Sequence, residues 1–394
     1  MPKVVIAGGG VAGIAASVAF AQAGWKTVLY ERSEILGEVG AGLQMSPNAC
    51  KVLDWLGVLG SVGQLAVEPA AAVLRDGCTG RRMYNAELAN SAEVSWGAPY
   101  LHVHRADLLE ALIEAAHHAG AHIHLGSAVE RAVMHPDHAN IHLSDGQMVE
   151  ADLVLGADGI HSVLRGALAP TEEPRFTKQV AWRALVPAEL IPSGTIASEA
   201  TVWAGAGRHL VSYYIRNGRL LNLVAVQERS DWTAEGWSEP GDPAEMRAAF
   251  ADFAPPVRAA LDAVEECYLW GLFDRPEQVR WTEGRLALIG DAAHPMLPFM
   301  AQGAAQALED VAALVRHLGT GAIPEALRAW ETERWPRVTR VLQTAQANGR
   351  MFHRPPGTQR TLSRLLISSV TKFAPRVAAG KLDWLYGFDA VKGP

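Results

Sequence analysis

The run Val4-Val5-Ile6-Ala7-Gly8-Gly9-Gly10-Val11-Ala12-Gly13 sets three glycines at the spacing Gly8-x-Gly10-x-x-Gly13, between an apolar segment of strand length and an apolar segment of helix length. That pattern suits a dinucleotide. The first glycine makes the tight turn, the second lets a pyrophosphate approach the backbone, and the third lets helix and strand pack closely. The N–H groups opening the helix, at Val11 and Ala12, then offer a partial positive charge to the phosphates. A second apolar segment, KTVLYER, carries Glu31 to a point eighteen residues after Gly13, where a carboxylate can accept hydrogen bonds from a ribose diol, with Arg32 beside it. A lone glycine motif says little. Strand, helix, second strand and terminal acid standing in this order say much more.

Two further groups could do chemistry. In GDAAHPMLPFMAQGAAQALED, Asp291 and His294 follow directly on the apolar run LALIG, then come Pro295 and Pro298, then a helix-like segment opening on Gly303, Ala304 and Ala305. Asp291 could simply cap a turn or helix. In HLVSY, His209 and Tyr213 stand four residues apart, which puts both on one face of a strand with α-carbons about 13 Å apart. A neutral imidazole can accept a phenol proton near pH 7. Both residue types are also ordinary strand residues, so a structural role stays open. Arg183, in AWRAL, could meet a carboxylate or lie at the surface.

The elements that must position these groups follow from pattern. At 394 residues the chain is long for one core, and implies several domains or a large α/β body with an insertion. Net charge is −7 with no extended Lys/Arg run, which argues against nucleic acid. Cys50, Cys78 and Cys267 show no CxxC spacing, which argues against a disulfide framework and a metal site, and fits the cytoplasm. The apolar N-terminus, rich in glycine and without a stop-transfer pattern, reads as a buried strand and helix and not as a signal peptide or membrane span.

From about Phe176 to Gln227 the pattern turns to Val-, Trp- and Tyr-rich strands, with Asn217-Gly218 marking a hairpin. After Gly303 it is helical. One helix runs to Gly319, a longer one contains Pro336, where a kink or break is expected, and TLSRLLISSVTKF adds an apolar stripe. Such stripes are packing faces, over the nucleotide domain or in a homodimer seam.

Together these motifs resemble the FAD-dependent single-component aromatic monooxygenases related to para-hydroxybenzoate hydroxylase, in the branch acting on salicylate, 3-hydroxybenzoate and 6-hydroxynicotinate. The resemblance rests on the Gly8 to Glu31 fingerprint, on ADLVLGADGIHSVLR around Asp158, on Gly290-Asp291, and on GAGLQMSPNA and HRADLLEAL. It implies an α/β fold: a Rossmann-type FAD-binding domain (residues 1–75, 98–172 and 278–350), an inserted antiparallel sheet as substrate domain (76–97 and 173–277) and a helical C-terminal part (351–394). It implies that Asp291 holds the ribityl chain, that Gln44 and Arg105 touch the flavin, and that Asp158 lies near the pyrophosphate, where Arg165 could meet phosphate. The N–H groups of Gly303, Ala304 and Ala305 would face the flavin pyrimidine edge. His209 becomes the candidate base and Tyr213 the group positioning the substrate oxygen, with Arg183, Pro298, Phe299 and Met300 toward the substrate. Relatives acting on 6-hydroxynicotinate tend to carry a polar residue where this chain has Phe299, which implies a more apolar pocket.

The expected activity is hydroxylation of a small aromatic compound with FAD, NADH or NADPH, and dioxygen, through a flavin C4a-hydroperoxide. Without a WxWxIP segment among twelve tryptophans, a flavin halogenase is disfavoured. A hydroxylase of larger quinone or polyketide-like substrates, and a flavin-binding protein without turnover, stay open.

Overall fold

The computed structural model describes residues 1–36, 41–168, 173–230, 239–275, 280–319, 321–355 and 382–393. Its first sheet has six strands in the spatial order Thr282–Glu283, Leu286–Leu288, Leu153–Gly156, Lys3–Ala7, Lys26–Tyr30, His122–His124. All neighbours are parallel except the outer Thr282–Glu283. Parallel strands are covered on both faces and therefore read as continuous apolar runs. Every residue of Leu153–Gly156 and Leu286–Leu288 is buried accordingly. The helices Val11–Gln22, Arg105–His118 and Gly303–Leu318 pack with this sheet in one core.

The topology explains how distant motifs meet. Leu286–Leu288, Leu153–Gly156 and Lys3–Ala7 are adjacent and parallel, so their carboxyl ends lie side by side. Those ends lead into Asp291, Asp158 and Gly8. Ligands of open parallel sheets bind at this edge.

The second sheet has eight strands in the order Pro240–Gly241, Cys267–Asp274, Arg175–Pro187, Leu220–Glu228, Arg208–Ile215, Ala200–Gly205, Ala71–Asp76, Arg82–Glu87. Neighbours are antiparallel apart from the parallel pair Ala200–Gly205 and Ala71–Asp76. Residues 71–75, assigned from sequence to the nucleotide domain, lie in this eight-stranded sheet, because Ala71–Asp76 finds its partners there. The hairpin at Asn217-Gly218 joins Arg208–Ile215 to Leu220–Glu228 through left-handed Arg216, Asn217 and Gly218.

Alternation gives this sheet two apolar faces. On one, Trp182, Leu210, Leu223 and Ala225 pack on Met246, Phe250, Val257 and Leu261 of the helices Pro243–Ala249 and Pro255–Asp262. On the other, Ala181, Ala204, Val226 and Trp270 pack on Phe299 and Phe352. The hairpin end is bound to the helix Arg105–His118 and to Leu65. Arg216 donates to both oxygens of Asp107, at 3.0 and 2.6 Å, and Asn217 N–H donates to the carbonyl of Leu65 at 3.0 Å.

The break expected at Pro336 does not occur: helix runs unbroken over Ile323–Phe352. Trp330 and Arg334 before the proline, and Val338 and Val341 after it, are fully buried, and this anchoring offsets the hydrogen bond proline removes. The apolar stripe at 361–373 lies outside the described residues. No helix among those described is long and apolar enough to cross a membrane.

Candidate active site

Each glycine of the first motif answers to a different constraint. Gly8 has φ +105°, and a Cβ there would collide with the carbonyl of Ala157 at the neighbouring strand end. A Cβ on Gly13 would collide with the carbonyl of Gly8. Gly10 is the contrast, since a Cβ would meet no atom within 4 Å. Fold therefore demands Gly8 and Gly13, while open room at Gly10 suits a phosphate group beside the N–H groups of Val11 and Ala12. Glu31 accepts from Gly9 N–H at 2.6 Å and Ser33 N–H at 2.8 Å, which clamps the turn and leaves lone pairs for a diol. Arg32 is exposed beside it.

Asp158 caps its own turn, accepting from Val163 N–H at 2.9 Å, and burial raises its pKa. Arg165 departs from expectation. It is buried, and donates through Nη1 to the carbonyls of Ala292 at 2.7 Å and Ala293 at 3.3 Å. Desolvation lowers its pKa to about 10. It braces the loop behind Asp291.

The side chain of Asp291 is reached by solvent, yet enclosure raises its pKa against the pull of His294 and Arg105. Arg105 opens the helix Arg105–His118, with its N–H on the carbonyl of Ala41 at 2.9 Å. Before Asp291, Gly290 takes φ +58°, and a Cβ would stand 3.1 Å from that of Ala307 and 3.3 Å from that of Ala12. Third motif and first helix are thus in contact. Helix Gly303–Leu318 starts at the expected glycine with no side chain capping its first turn. Gly303 and Ala304 are partly exposed, while Ala305 behind them is fully buried. Gln44, on the strand Gly42–Met45, accepts from Tyr100 Oη at 2.7 Å.

The sheet above supplies the other residues. His209, opposite Val226, and Tyr213, opposite Asn222, share a face but occupy separate surroundings. His209 keeps 2% of its surface, its ring 5.3 Å from those of Phe299 and Phe352. Burial, then His353, holds its pKa well below the usual imidazole value. Tyr213 packs on His102 at 4.5 Å and over Gly42, where a Cβ would come within 2.6 Å of the phenol ring. Burial raises its pKa, while Arg183 pulls it back. Arg183 is half-buried and not a surface arginine, its guanidinium 4.0 Å over Trp270. Phe299 is pinned by Asn348, which donates to its carbonyl at 3.2 Å. Met300 packs instead with the Trp96, Tyr100 and Tyr386 cluster, and Pro298 is exposed.

Residues 1–345 match the FAD binding domain family. The chain is 35% identical to a 3-amino-4-hydroxybenzoate 2-monooxygenase of Streptomyces platensis over 99% of its own length and 96% of the relative's. This chain belongs to that FAD-binding family. It is 32% identical to 3-hydroxybenzoate 6-hydroxylase 1 of Aquipseudomonas alcaligenes (99% and 98% covered), and 35% identical to 6-hydroxynicotinate 3-monooxygenase of Bordetella bronchiseptica (88% and 91%). Klebsiella pneumoniae HpxO complexed with FAD and uric acid superposes with TM-score 0.83 at 25% identity, covering 100% of this chain and 97% of that one. The salicylate hydroxylase substrate complex shares the fold, with TM-score 0.83 at 23% identity and 99% and 96% covered. The protein is an FAD-dependent monooxygenase.

Sequence reading missed how this FAD monooxygenase holds its third motif. Asp310, fully buried, accepts from Gly290 N–H at 3.0 Å and Arg334 Nε at 2.9 Å, and lies 2.6 Å from His294 Nε2. Glu309 beside it takes Arg334 and Arg337, each at 2.6 Å, and Asn48 at 2.6 Å. Burial would raise both carboxylates. Their cationic partners instead hold Glu309 and Asp310 below the usual range. The available signal was Glu309-Asp310 deep in an apolar helix face, together with two arginines three apart on the next helix.

Proposed function

We propose that this enzyme hydroxylates a small phenolic carboxylate, with 3-amino-4-hydroxybenzoate the first compound to test, using NADH or NADPH and dioxygen. Bound FAD supplies hydride acceptance and oxygen activation, as such cofactors do. The chain supplies placement. Gly8, Gly10, Val11, Ala12 and Gly13 take the pyrophosphate beside Asp158, and Glu31 and Arg32 the ribose end. Asp291, Arg105 and Gln44 hold the ribityl and flavin side, against the opening turn at Gly303, Ala304 and Ala305.

The observation that carries the reading is His209: a buried imidazole, kept neutral, on the sheet face turned to Phe299. His353 occupies its Nδ1, so Nε2 is left to take the phenol proton, which raises the ring's nucleophilicity. Tyr213 positions the oxygen, and Arg183, steadied on Trp270, meets the carboxylate. Phe299 excludes water behind the loop at Pro298. The unpaired cysteines Cys50, Cys78 and Cys267 support a cytoplasmic location.

The test is coupled NAD(P)H and oxygen consumption by FAD-loaded protein with 3-amino-4-hydroxybenzoate, 3-hydroxybenzoate and 6-hydroxynicotinate in separate arms. A hydroxylated product in stoichiometric yield with one of them is expected. FAD-loaded protein that none of the three stimulates would refute the substrate class.

A further inference from the structure

Behind His209 a file of three side chains runs to solvent. His209 Nδ1 lies 2.7 Å from His353 Nε2, and His353 Nδ1 lies 3.0 Å from Glu228 Oε1. The two imidazoles keep 2% and 5% of their surface, whereas the Glu228 side chain is 56% exposed. One residue fixes both ends: Gly207 N–H donates to the carbonyl of His353 at 3.0 Å, and Glu228 N–H donates to the carbonyl of Gly207 at 2.8 Å. The contacts join the end of the long C-terminal helix to two strands of the sheet.

Hydrogen-bond logic dictates the protons. An ionised carboxylate only accepts, so Glu228 requires an N–H at Nδ1 of His353. A neutral His353 then presents a lone pair at Nε2. His209 must donate into that lone pair from its own Nδ1, and this leaves the lone pair of His209 at Nε2. Burial favours the neutral form of both rings, Glu228 partly opposing it at His353. Among the described residues, His353 is the titratable group set against His209, and Glu228 and His209 are those set against His353. Arg208, the strand neighbour of His209, is turned to Asp252 at 2.6 Å and to Phe250 and Phe253 on the other face.

We propose that His353 and Glu228 are positioning residues that lock His209 in its Nδ1–H tautomer and carry the phenol proton to solvent. The proposal rests on His209 being the base. As the phenol O–H breaks, N–H forms at His209 Nε2; the Nδ1 proton of His209 passes to His353 Nε2, and the Nδ1 proton of His353 passes to Glu228 and to water. One proton leaves per phenol ionised and no electrons move. Protonation of the product oxygen runs the file backward and resets both rings.

The resting lock is read without substrate, from 15N spectra of histidine-labelled, FAD-loaded enzyme assigned through His209→Asn and His353→Gln. Both rings should be Nδ1–H, and Glu228→Ala should move them toward Nε2–H. An Nε2–H resting form of His209 in the wild type overturns the proposal. Proton release is read with phenol red in weak buffer on mixing with 3-amino-4-hydroxybenzoate. Glu228→Gln should slow it at least tenfold with FAD content retained, and added formate should restore it. His209→Asn separates the two readings. Release unchanged in His209→Asn removes the base; release lost there but of wild-type rate in both Glu228→Gln and His353→Gln leaves the base standing and removes the relay.

Discussion

Replacing Arg334 by methionine removes one cation from between two fully buried carboxylates. Arg334 gives Nε to Asp310, Nη1 to Glu309 and Nη2 to the side chain and carbonyl of Gln306, with no exposed surface. Methionine fills much of the space but leaves Asp310 with His294 and the Gly290 N–H, and Glu309 with Arg337, Asn48 and Gln306. Breaking a buried pair in this way costs about 3–5 kcal/mol. At about 2.1 cal/mol/K per residue, unfolding of the 394-residue chain carries an entropy of about 0.8 kcal/mol/K, so Tm should fall by about 4–6 °C. The sign with pH follows from the lowered carboxylates. Their contribution is present above the unfolded values, near pH 4–4.5, and is lost as pH falls through the folded ones. The gap between wild type and variant is therefore full at pH 7 and closes toward pH 3. Because Asp310 holds Gly290, the variant should also bind FAD about tenfold more weakly, measured by flavin fluorescence. A Tm loss under 1 °C at pH 7, or a gap that widens on acidification, refutes the reasoning.

Gly10→Ala should leave the apoprotein's stability within about 0.5 kcal/mol of wild type yet weaken FAD binding more than tenfold, since only ligand competes for that space. Gly13→Ala should damage both, because its Cβ meets the Gly8 carbonyl; calorimetry with flavin titration separates the pair. His209→Asn should lower coupled turnover about 10²–10⁴-fold across pH 6–8 while retaining FAD, read from product yield against NAD(P)H consumed. Gly42→Ala should raise the substrate KM by displacing Tyr213 and Asn222, with FAD content unchanged in the absorbance spectrum.

The glycine turn and the strand ends were legible because their determinants are local. Gly8, Gly10 and Gly13 lie within six residues and act through φ and close approach, and Asp158 and Asp291 each follow directly on an apolar run that had to be a buried strand. The substrate side was legible only in part. The period of two put His209 and Tyr213 on one face, but their distinct neighbours, His353 and Phe299 for one and His102 and Gly42 for the other, come from segments 90 to 171 residues away. Spacing within one strand carries no information about such partners. Arg165 was misread for a related reason. A basic residue near a nucleotide motif suggests phosphate, whereas its burial and its carbonyl partners at 292 and 293 depend on the adjacent strand.

Those long-range contacts explain how Asp291 can serve a ligand. The chain on either side is clamped: Gly290 N–H by Asp310, the carbonyls of Ala292 and Ala293 by Arg165, and His294 by Asp310. Among the described residues, no hydrogen bond engages the Asp291 carboxylate itself. Its backbone is thus fixed by four buried contacts while the residue stays exposed to solvent, with Arg105 near enough to oppose the rise in its pKa. An acceptor fixed in this way loses little freedom when it meets hydroxyl groups, so less binding free energy is lost to ordering. The clamp is built from the segments that follow two strands and from two C-terminal helices, which is why a residue such as Arg334, distant in sequence from every cofactor motif, is expected to act on FAD binding.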